Sequence, residues 1–202
     1  MYAIVACAAC SRPAEQPAAG ANVPAAASSS SSSSAHTVVV SKAPRGAVVV
    51  LEPKVSQPFP LPPGPAIMDQ FGRAFIPSLL IVRAGQVVEF RNSEDVLHNV
   101  HVQKAPAGTE VFNVDRPPFD TYKYTFTEDG FYSVQCDTHI DMRAGIVVTS
   151  TPYTGVADER GSFTFPDVAP GLYTLRLYGE GPPRERVVEV SGPRTDIGIG
   201  AR

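Results

Sequence analysis

The chain has 202 residues and a formal net charge of −3 at pH 7, and its basic residues are dispersed along the sequence. This pattern gives no reason to expect a nucleic-acid-binding protein. The length allows one or two small domains, with a sizeable core from about residue 37 onward. Hydrophobic runs at residues 37–40, 47–51 and 79–82 are short, rich in β-branched side chains and bounded by Pro or Gly. They predict strands and an all-β fold.

Residues 1–10 are apolar, and Ile4-Val5-Ala6-Cys7 resembles the lipobox of bacterial lipoproteins, whose cysteine is lipidated after cleavage. The segment lacks a basic start and a full apolar stretch, so we interpret it as a truncated signal or lipobox-like segment. A lipid anchor at Cys7 or Cys10 and a periplasmic or other extracytoplasmic location are expected, with membrane contact only through this anchor. The CxxC formed by Cys7 and Cys10 could also be redox-active or metal-binding, a weaker alternative because no ordered scaffold is predicted around it. No stretch approaches the ~20 apolar residues of a transmembrane span.

Residues 11–36 are rich in Ser, Ala and Pro and include a run of serines at residues 28–34. Such a composition buries too little apolar surface to offset the entropy of ordering, which predicts a disordered tether. His36 is assigned to this tether and is expected to be solvated.

Strand alternation separates two nearby histidines. In the segment that begins His98-Asn99-Val100, His98 and Val100 share one face with Val102, and Asn99 and His101 point to the other face. His98 is therefore the candidate metal ligand of this strand, and His101 is not.

A second strand ends at Cys136, which shares its face with Tyr132 and Val134. His139 and Met142 follow three and six residues later, in a loop that can fold back before residues 144–149 resume as a strand. Taken singly, such residues are more often core groups than ligands, and Met142 is the weakest candidate. With His98 they form a set of two imidazoles, one thiolate and one thioether, the donors of a type 1 copper site.

These motifs resemble a known family. Residues 74–150 resemble a cupredoxin, the Greek-key β-sandwich of the plastocyanin and azurin family, and more narrowly the bacterial cupredoxin-domain proteins described as methylamine-utilisation-like. The resemblance is carried by residues 75–77, 87–92, 98–100, 130–132 and 136–142.

The resemblance implies one bound copper with His98, Cys136, His139 and Met142 as ligands. It implies that Asn99 hydrogen-bonds to the cysteine loop and that the His139 edge passes electrons. His101 departs from the pattern, which leaves open an additional ligand or a second metal.

The C-terminal residues predict another small sandwich. Residues 158–177 read as strand, Pro-Gly turn, strand, with Phe163 and Phe165 on one face and Tyr173 and Leu175 on another. They resemble a carboxypeptidase-regulatory-like, transthyretin-type module.

We predict that this module comprises residues 37–54 and 151–202, with the cupredoxin domain (residues 55–150) inserted between them. The alternative gives residues 37–51 to the cupredoxin and leaves the C-terminal part as an appendage. Met68-Asp69-Gln70 is placed in a joining loop with no predicted physical role.

The predicted function is that of a blue copper protein that carries single electrons to or from a redox partner protein in the bacterial envelope. No convincing Ser/His/Asp set, phosphate-binding glycine loop or carboxylate pair supports an enzyme. One cysteine in the folded part excludes an intramolecular disulfide there. Two alternatives use the same ligands: an envelope copper carrier or sensor, and an interaction module that the metal stabilises.

Overall fold

The computed structural model describes residues 36–179 and 182–199. Within this part the secondary structure is β-strand throughout, which confirms the all-β prediction. None of it forms a helix long and apolar enough to cross a membrane. The strands are β1 (His36–Ser41), β2 (Val48–Pro53), β3 (Ala66–Phe71), β4 (Ala74–Ile76), β5 (Leu79–Arg83), β6 (Val87–Asn92), β7 (His98–Lys104), β8 (Thr109–Arg116), β9 (Thr121–Thr125), β10 (Gly130–Gln135), β11 (Arg143–Thr149), β12 (Thr154–Val156), β13 (Phe163–Val168), β14 (Gly171–Tyr178), β15 (Arg184–Val190) and β16 (Arg194–Gly198).

Strands β3 to β11 form the first sandwich. One sheet has the order β5-β11-β10-β7-β8 and the other the order β4-β3-β6-β9. The pairs β5–β11 and β3–β6 are parallel, and the remaining pairs are antiparallel. Inward residues of both sheets build an aromatic core in which Phe90 and Phe126 are fully buried, as period-2 alternation requires.

Strands β1, β2 and β12 to β16 form the second sandwich. Its sheets have the orders β13-β1-β16 and β12-β2-β14-β15. In β1, Val38 pairs with Phe165 of β13, and in β2, Leu51 pairs with Leu175 of β14. The strands before the first sandwich therefore pair with strands that follow it. The relation of this sandwich to the transthyretin type, and its ability to fold alone, stay predictions.

A third apolar cluster joins the two sandwiches. The outer face of the β2–β14 sheet contributes Val48, Val50 and Tyr178, and the β5–β11–β10 sheet contributes Val147 and, partly buried, Phe131. Val48, Val50 and Val147 are at most 3 % exposed. Burial of apolar surface is the main favourable term in such contacts, so each sandwich stabilises the other.

Two placements from the sequence are wrong. His36 is buried at the start of β1, where it shares the inward face with Val38 and Val40, and its ring bonds to the carbonyl oxygen of Gly192. The predicted tether therefore ends before residue 36. The remainder of that tether, Cys7 and Cys10 lie outside the described residues. Residues 68–70 belong to β3, not to a loop.

Candidate metal centre

Strand β7 places the first candidate ligand. His98, Val100 and Val102 are completely buried, whereas His101 is partly exposed. This confirms the face assignment made from the alternation. The Nδ1 atom of His98 lies on the side of the ring that faces Cys136, at 4.0 Å from its sulfur.

The loop after β10 places the other candidates. Cys136 is 2 % exposed. Its backbone N–H donates to the carbonyl oxygen of Met142 at 3.1 Å, and the N–H of Met142 donates to the carbonyl oxygen of His139 at 2.9 Å. These bonds close the loop, so His139 folds back against Cys136, with its Nδ1 3.6 Å from the sulfur.

Three donor atoms converge at this point. The Nδ1 atoms of His98 and His139 are 3.0 Å apart, and together with the Cys136 sulfur the possible ligand atoms lie within 4.8 Å of one another. One ion that made bonds of about 2.0 to 2.3 Å, the lengths that the same donors make to zinc, could reach all three. Two imidazoles and a thiolate in a trigonal arrangement are the donors that suit copper in electron-transfer sites. The residues therefore fit a copper ion.

Met142 lies next to this group. It is 1 % exposed and belongs to the same core cluster as Cys136, which also includes the fully buried Val100 and Ile146. The role of its thioether as an axial ligand stays a prediction.

Asn99 connects β7 to the cysteine loop. Its Oδ1 accepts a hydrogen bond from the backbone N–H of Asp137 at 2.6 Å. Its Nδ2 donates to Oδ1 of Asn113 at 2.7 Å and to Oδ2 of Asp137 at 3.2 Å. The side chain is buried, so these bonds fix the residue that directly follows Cys136.

Asp137 is the centre of a polar network on the outer face of β7. Its carboxylate accepts from Nδ1 of His101 at 3.0 Å and from Nδ2 of Asn113 at 2.8 Å. The hydrogen bond from His101, followed by that from Asn113, lowers the pKa of Asp137 to about 2. His101 also approaches Glu110, with Nε2 3.3 Å from Oε2. Within the described ranges, the one group of three potential metal ligands is that of His98, Cys136 and His139, and His101 is outside it.

His139 is the most accessible of the three donors, since it is partly exposed and the other two are buried. Burial lowers the pKa of its imidazole, and the neighbouring His98 and Arg73 lower it further. A neutral imidazole is the form that binds a metal. The following residue, Ile140, is 73 % exposed, so an exposed apolar side chain lies beside His139.

Glu94 is a site residue that the sequence reasoning missed. Its Oε2 lies 2.8 Å from Nε2 of His98, on the side of the ring away from Cys136. A glutamate four residues before the ligand was the available signal. It carried little information because residues 93–97 form an irregular bend without periodicity.

Comparison with known proteins identifies the first sandwich. A family described as copper binding proteins, plastocyanin/azurin family, matches residues 68–149. The plastocyanin of Solanum crispum is 33 % identical over 88 residues, which cover 39 % of this chain and 87 % of the relative. Plastocyanin A/B of Petroselinum crispum is 32 % identical over 78 residues, 35 % of this chain and 80 % of the relative. Among solved structures, a reduced Cu(I) form of an amicyanin variant is 26 % identical, with a TM-score of 0.39. The match covers 50 % of this chain and 97 % of the amicyanin chain. By its sequence the chain belongs to the plastocyanin/azurin family of copper-binding proteins.

Proposed function

We propose that the protein is a type 1 copper protein that carries single electrons. The observation that supports this most directly is the convergence of two imidazole Nδ1 atoms and one buried thiol sulfur within 4.8 Å. His98, Cys136 and His139 would hold the metal, with Met142 as the axial group. Bound copper supplies the exchange between Cu(II) and Cu(I), which needs neither a substrate pocket nor a catalytic acid or base.

The hydrogen-bonded frame supports electron transfer over catalysis. His98 lies on a strand, and Cys136 and His139 lie in a loop closed by its own backbone bonds and by Asn99. Such partners orient the ligands and keep their positions nearly constant between the two oxidation states. A small change in geometry on electron exchange favours a fast transfer.

The accessible edge of His139 is the proposed route for the electron. Of the three donors it is the one that reaches the surface, and the exposed Ile140 lies next to it. An exposed apolar side chain there suits brief contact with a redox partner protein. We place this exchange in the bacterial envelope, with a lipid anchor at Cys7 or Cys10. Labelling the bacterially expressed full-length protein with a radioactive fatty acid, in wild type and in Cys7→Ser and Cys10→Ser variants, tests the anchor.

The optical and EPR spectra of the Cu(II) form test the function. We expect an intense blue or green thiolate-to-copper band that disappears reversibly on reduction. Cys136→Ser should remove the band and retain the far-UV circular dichroism of the wild type. Ser133→Ala, on the same strand but away from the donor group, is the matched control.

A copper-loaded wild type without colour would contradict the electron-carrier proposal. A coloured protein that passes its copper rapidly to a chelator, and exchanges electrons slowly with itself, would instead indicate a copper carrier.

A further inference from the structure

His98 has a carboxylate partner on the side of its ring that faces away from the donor group. Nε2 of His98 donates to Oε2 of Glu94 at 2.8 Å, while Nδ1 lies 3.0 Å from Nδ1 of His139. The side chain of His98 is completely buried and that of Glu94 is 18 % exposed. With Nε2 bearing the proton, Nδ1 keeps its lone pair for a metal.

Hydrogen bonds hold both the carboxylate and the backbone of Glu94. Its Oε2 also accepts the backbone N–H of Arg73, at 3.1 Å, from the turn between β3 and β4. Its own N–H donates to Oδ1 of Asn92 at 3.0 Å. Asn92 is buried, and its Nδ2 donates to the carbonyl oxygens of Val96 and Arg116 at 2.8 and 2.9 Å. The carboxylate is thus fixed in place before any metal binds.

Strand β3 supports the same bend, which gives the Met68-Asp69-Gln70 motif a physical role. Asp69 accepts from the hydroxyl of Ser93 at 2.8 Å. Gln70 accepts the backbone N–H of Ser93 on its carbonyl oxygen at 3.1 Å, and its Nε2 donates to the carbonyl oxygen of Asn99 at 3.1 Å. Met68 is completely buried in the core cluster of the first sandwich. The β3–β4 hairpin therefore positions the bend that carries Glu94 and the start of β7.

We propose that Glu94 is a positioning residue that sets the tautomer of His98 and lowers the reduction potential of the copper site. A carboxylate that accepts the outer N–H of a ligating imidazole fixes the orientation of the ring and makes it a stronger donor. A stronger donor and an additional negative charge stabilise Cu(II) more than Cu(I). This inference rests on the proposed function.

Two variants of Glu94 separate the effect of its negative charge from the effect of its hydrogen bond to His98. Glu94→Gln keeps an oxygen acceptor and the shape but removes the charge, so the blue band should remain and the potential should rise. A tenfold weaker preference for Cu(II) corresponds to about 59 mV for one electron. Glu94→Ala removes the partner, and copper affinity should fall on the order of 10- to 100-fold, as is typical for the loss of such partners.

Glu110→Gln is the matched control. It removes the same charge from a carboxylate beside His101, the histidine outside the donor group. The reduction potential of the Glu110→Gln variant should stay close to that of the wild type. An equal rise in Glu94→Gln and Glu110→Gln would overturn the proposal, because net charge alone would then explain both.

The experiment is an optical redox titration of the copper-loaded proteins, combined with ¹⁵N NMR of the imidazole nitrogens in the metal-free proteins. Wild-type apoprotein should show His98 with its proton on Nε2, and Glu94→Ala should show a mixture of tautomers. A blue wild type whose potential and tautomer are unchanged in both Glu94 variants would overturn the role of Glu94. A wild type without the blue band would contradict the proposed function, while the NMR result would still decide the tautomer.

Discussion

The two histidines of β7 are three residues apart and have different partners. Nδ1 of His98 lies among the donor atoms, and Nδ1 of His101 lies 3.0 Å from the carboxylate of Asp137 on the opposite face. We therefore expect His98→Ala to abolish the thiolate-to-copper band and His101→Ala to leave it unchanged. Copper titration followed by absorption and EPR measures both. Loss or conversion of the band in His101→Ala would show that this imidazole takes part in the site.

Substitution of Met142 tests whether its thioether is the axial ligand. It is buried beside Cys136, where a methionine can equally be a core residue. Because the axial ligand tunes the potential of such sites, Met142→Leu should keep the colour and raise the potential, and Met142→Gln should lower it. Potentiometric titration measures the two shifts. Wild-type potentials and spectra in both variants would show that Met142 only fills the core.

Sequence reasoning at this scale succeeded where regular strands carry the residues. The alternation of β7 and β10 puts His98 and Cys136 on inward faces, and short spacing brings His139 to them. Glu94 could not be found in this way, since its position depends on a bend held by Asn92 and by the β3–β4 turn. Bonds between segments far apart in the sequence leave no periodic signal.

At the scale of elements, a side chain of β7 bonds to the backbone of the cysteine loop. Asn99 accepts the backbone N–H of Asp137 and donates to its carboxylate. Asn99→Ala removes this part-buried hydrogen bond, and the loss of a typical intramolecular hydrogen bond costs about 0.5 to 1.5 kcal/mol. Urea unfolding of the apoprotein, followed by circular dichroism, should show this loss. Asn113→Ala removes a bond to the carboxylate and an acceptor of the Asn99 amide but leaves the backbone N–H of Asp137 paired, so it should cost less. Equal stability of Asn99→Ala and wild type would contradict the role.

A glycine in β12 allows an aromatic ring to pack. A Cβ added to Gly155 would lie 1.9 Å from the ring of Phe163, whereas one added to Gly198 would meet nothing within 4 Å. Gly155→Ala should therefore destabilise the second sandwich, by about 1 to 3 kcal/mol for overpacking. Gly198→Ala is the control. Thermal unfolding measures the loss of stability, and the copper spectrum should be unchanged. A changed spectrum would mean that strain in β12 reaches the donor group.

The pairing of elements was harder to predict than their existence. Residues around Phe163 and Tyr173 were expected as strands on either side of a Pro-Gly turn, and they are β13 and β14. The two strands do not pair with each other, because β13 joins β1 in one sheet and β14 joins β2 in the other. Which sheet a strand enters is decided by partners distant in sequence, which alternation within the strand does not specify.

At the scale of the molecule, the apolar cluster between the sandwiches makes them interdependent. Val50 and Tyr178 of the second sandwich cover Val147 and Phe131 of the first. Separation would expose this surface to water on both sides, and contiguous exposed apolar patches promote association. The second sandwich thus covers the β5–β11–β10 part of the outer sheet face of the copper-binding sandwich. His101 lies on the same face of that sheet, on β7, where it pairs with Gln135 of β10.

Truncation tests how far this dependence goes. Deletion of residues 37–52 removes nearly all of β1 and β2, each an interior strand of its sheet, so the second sandwich should unfold. A fragment of residues 55–150 retains β3 to β11 with all four proposed ligands, and it should still bind copper, with lower stability because the covered apolar face is exposed. Hydrogen exchange on both proteins, with the absorption spectrum of the copper-loaded fragment, measures the two effects. If the fragment cannot fold and residues 151–202 prove dispensable for the remainder, the idea of an inserted copper domain fails, and residues 37–51 would have to stabilise the copper-binding sandwich directly.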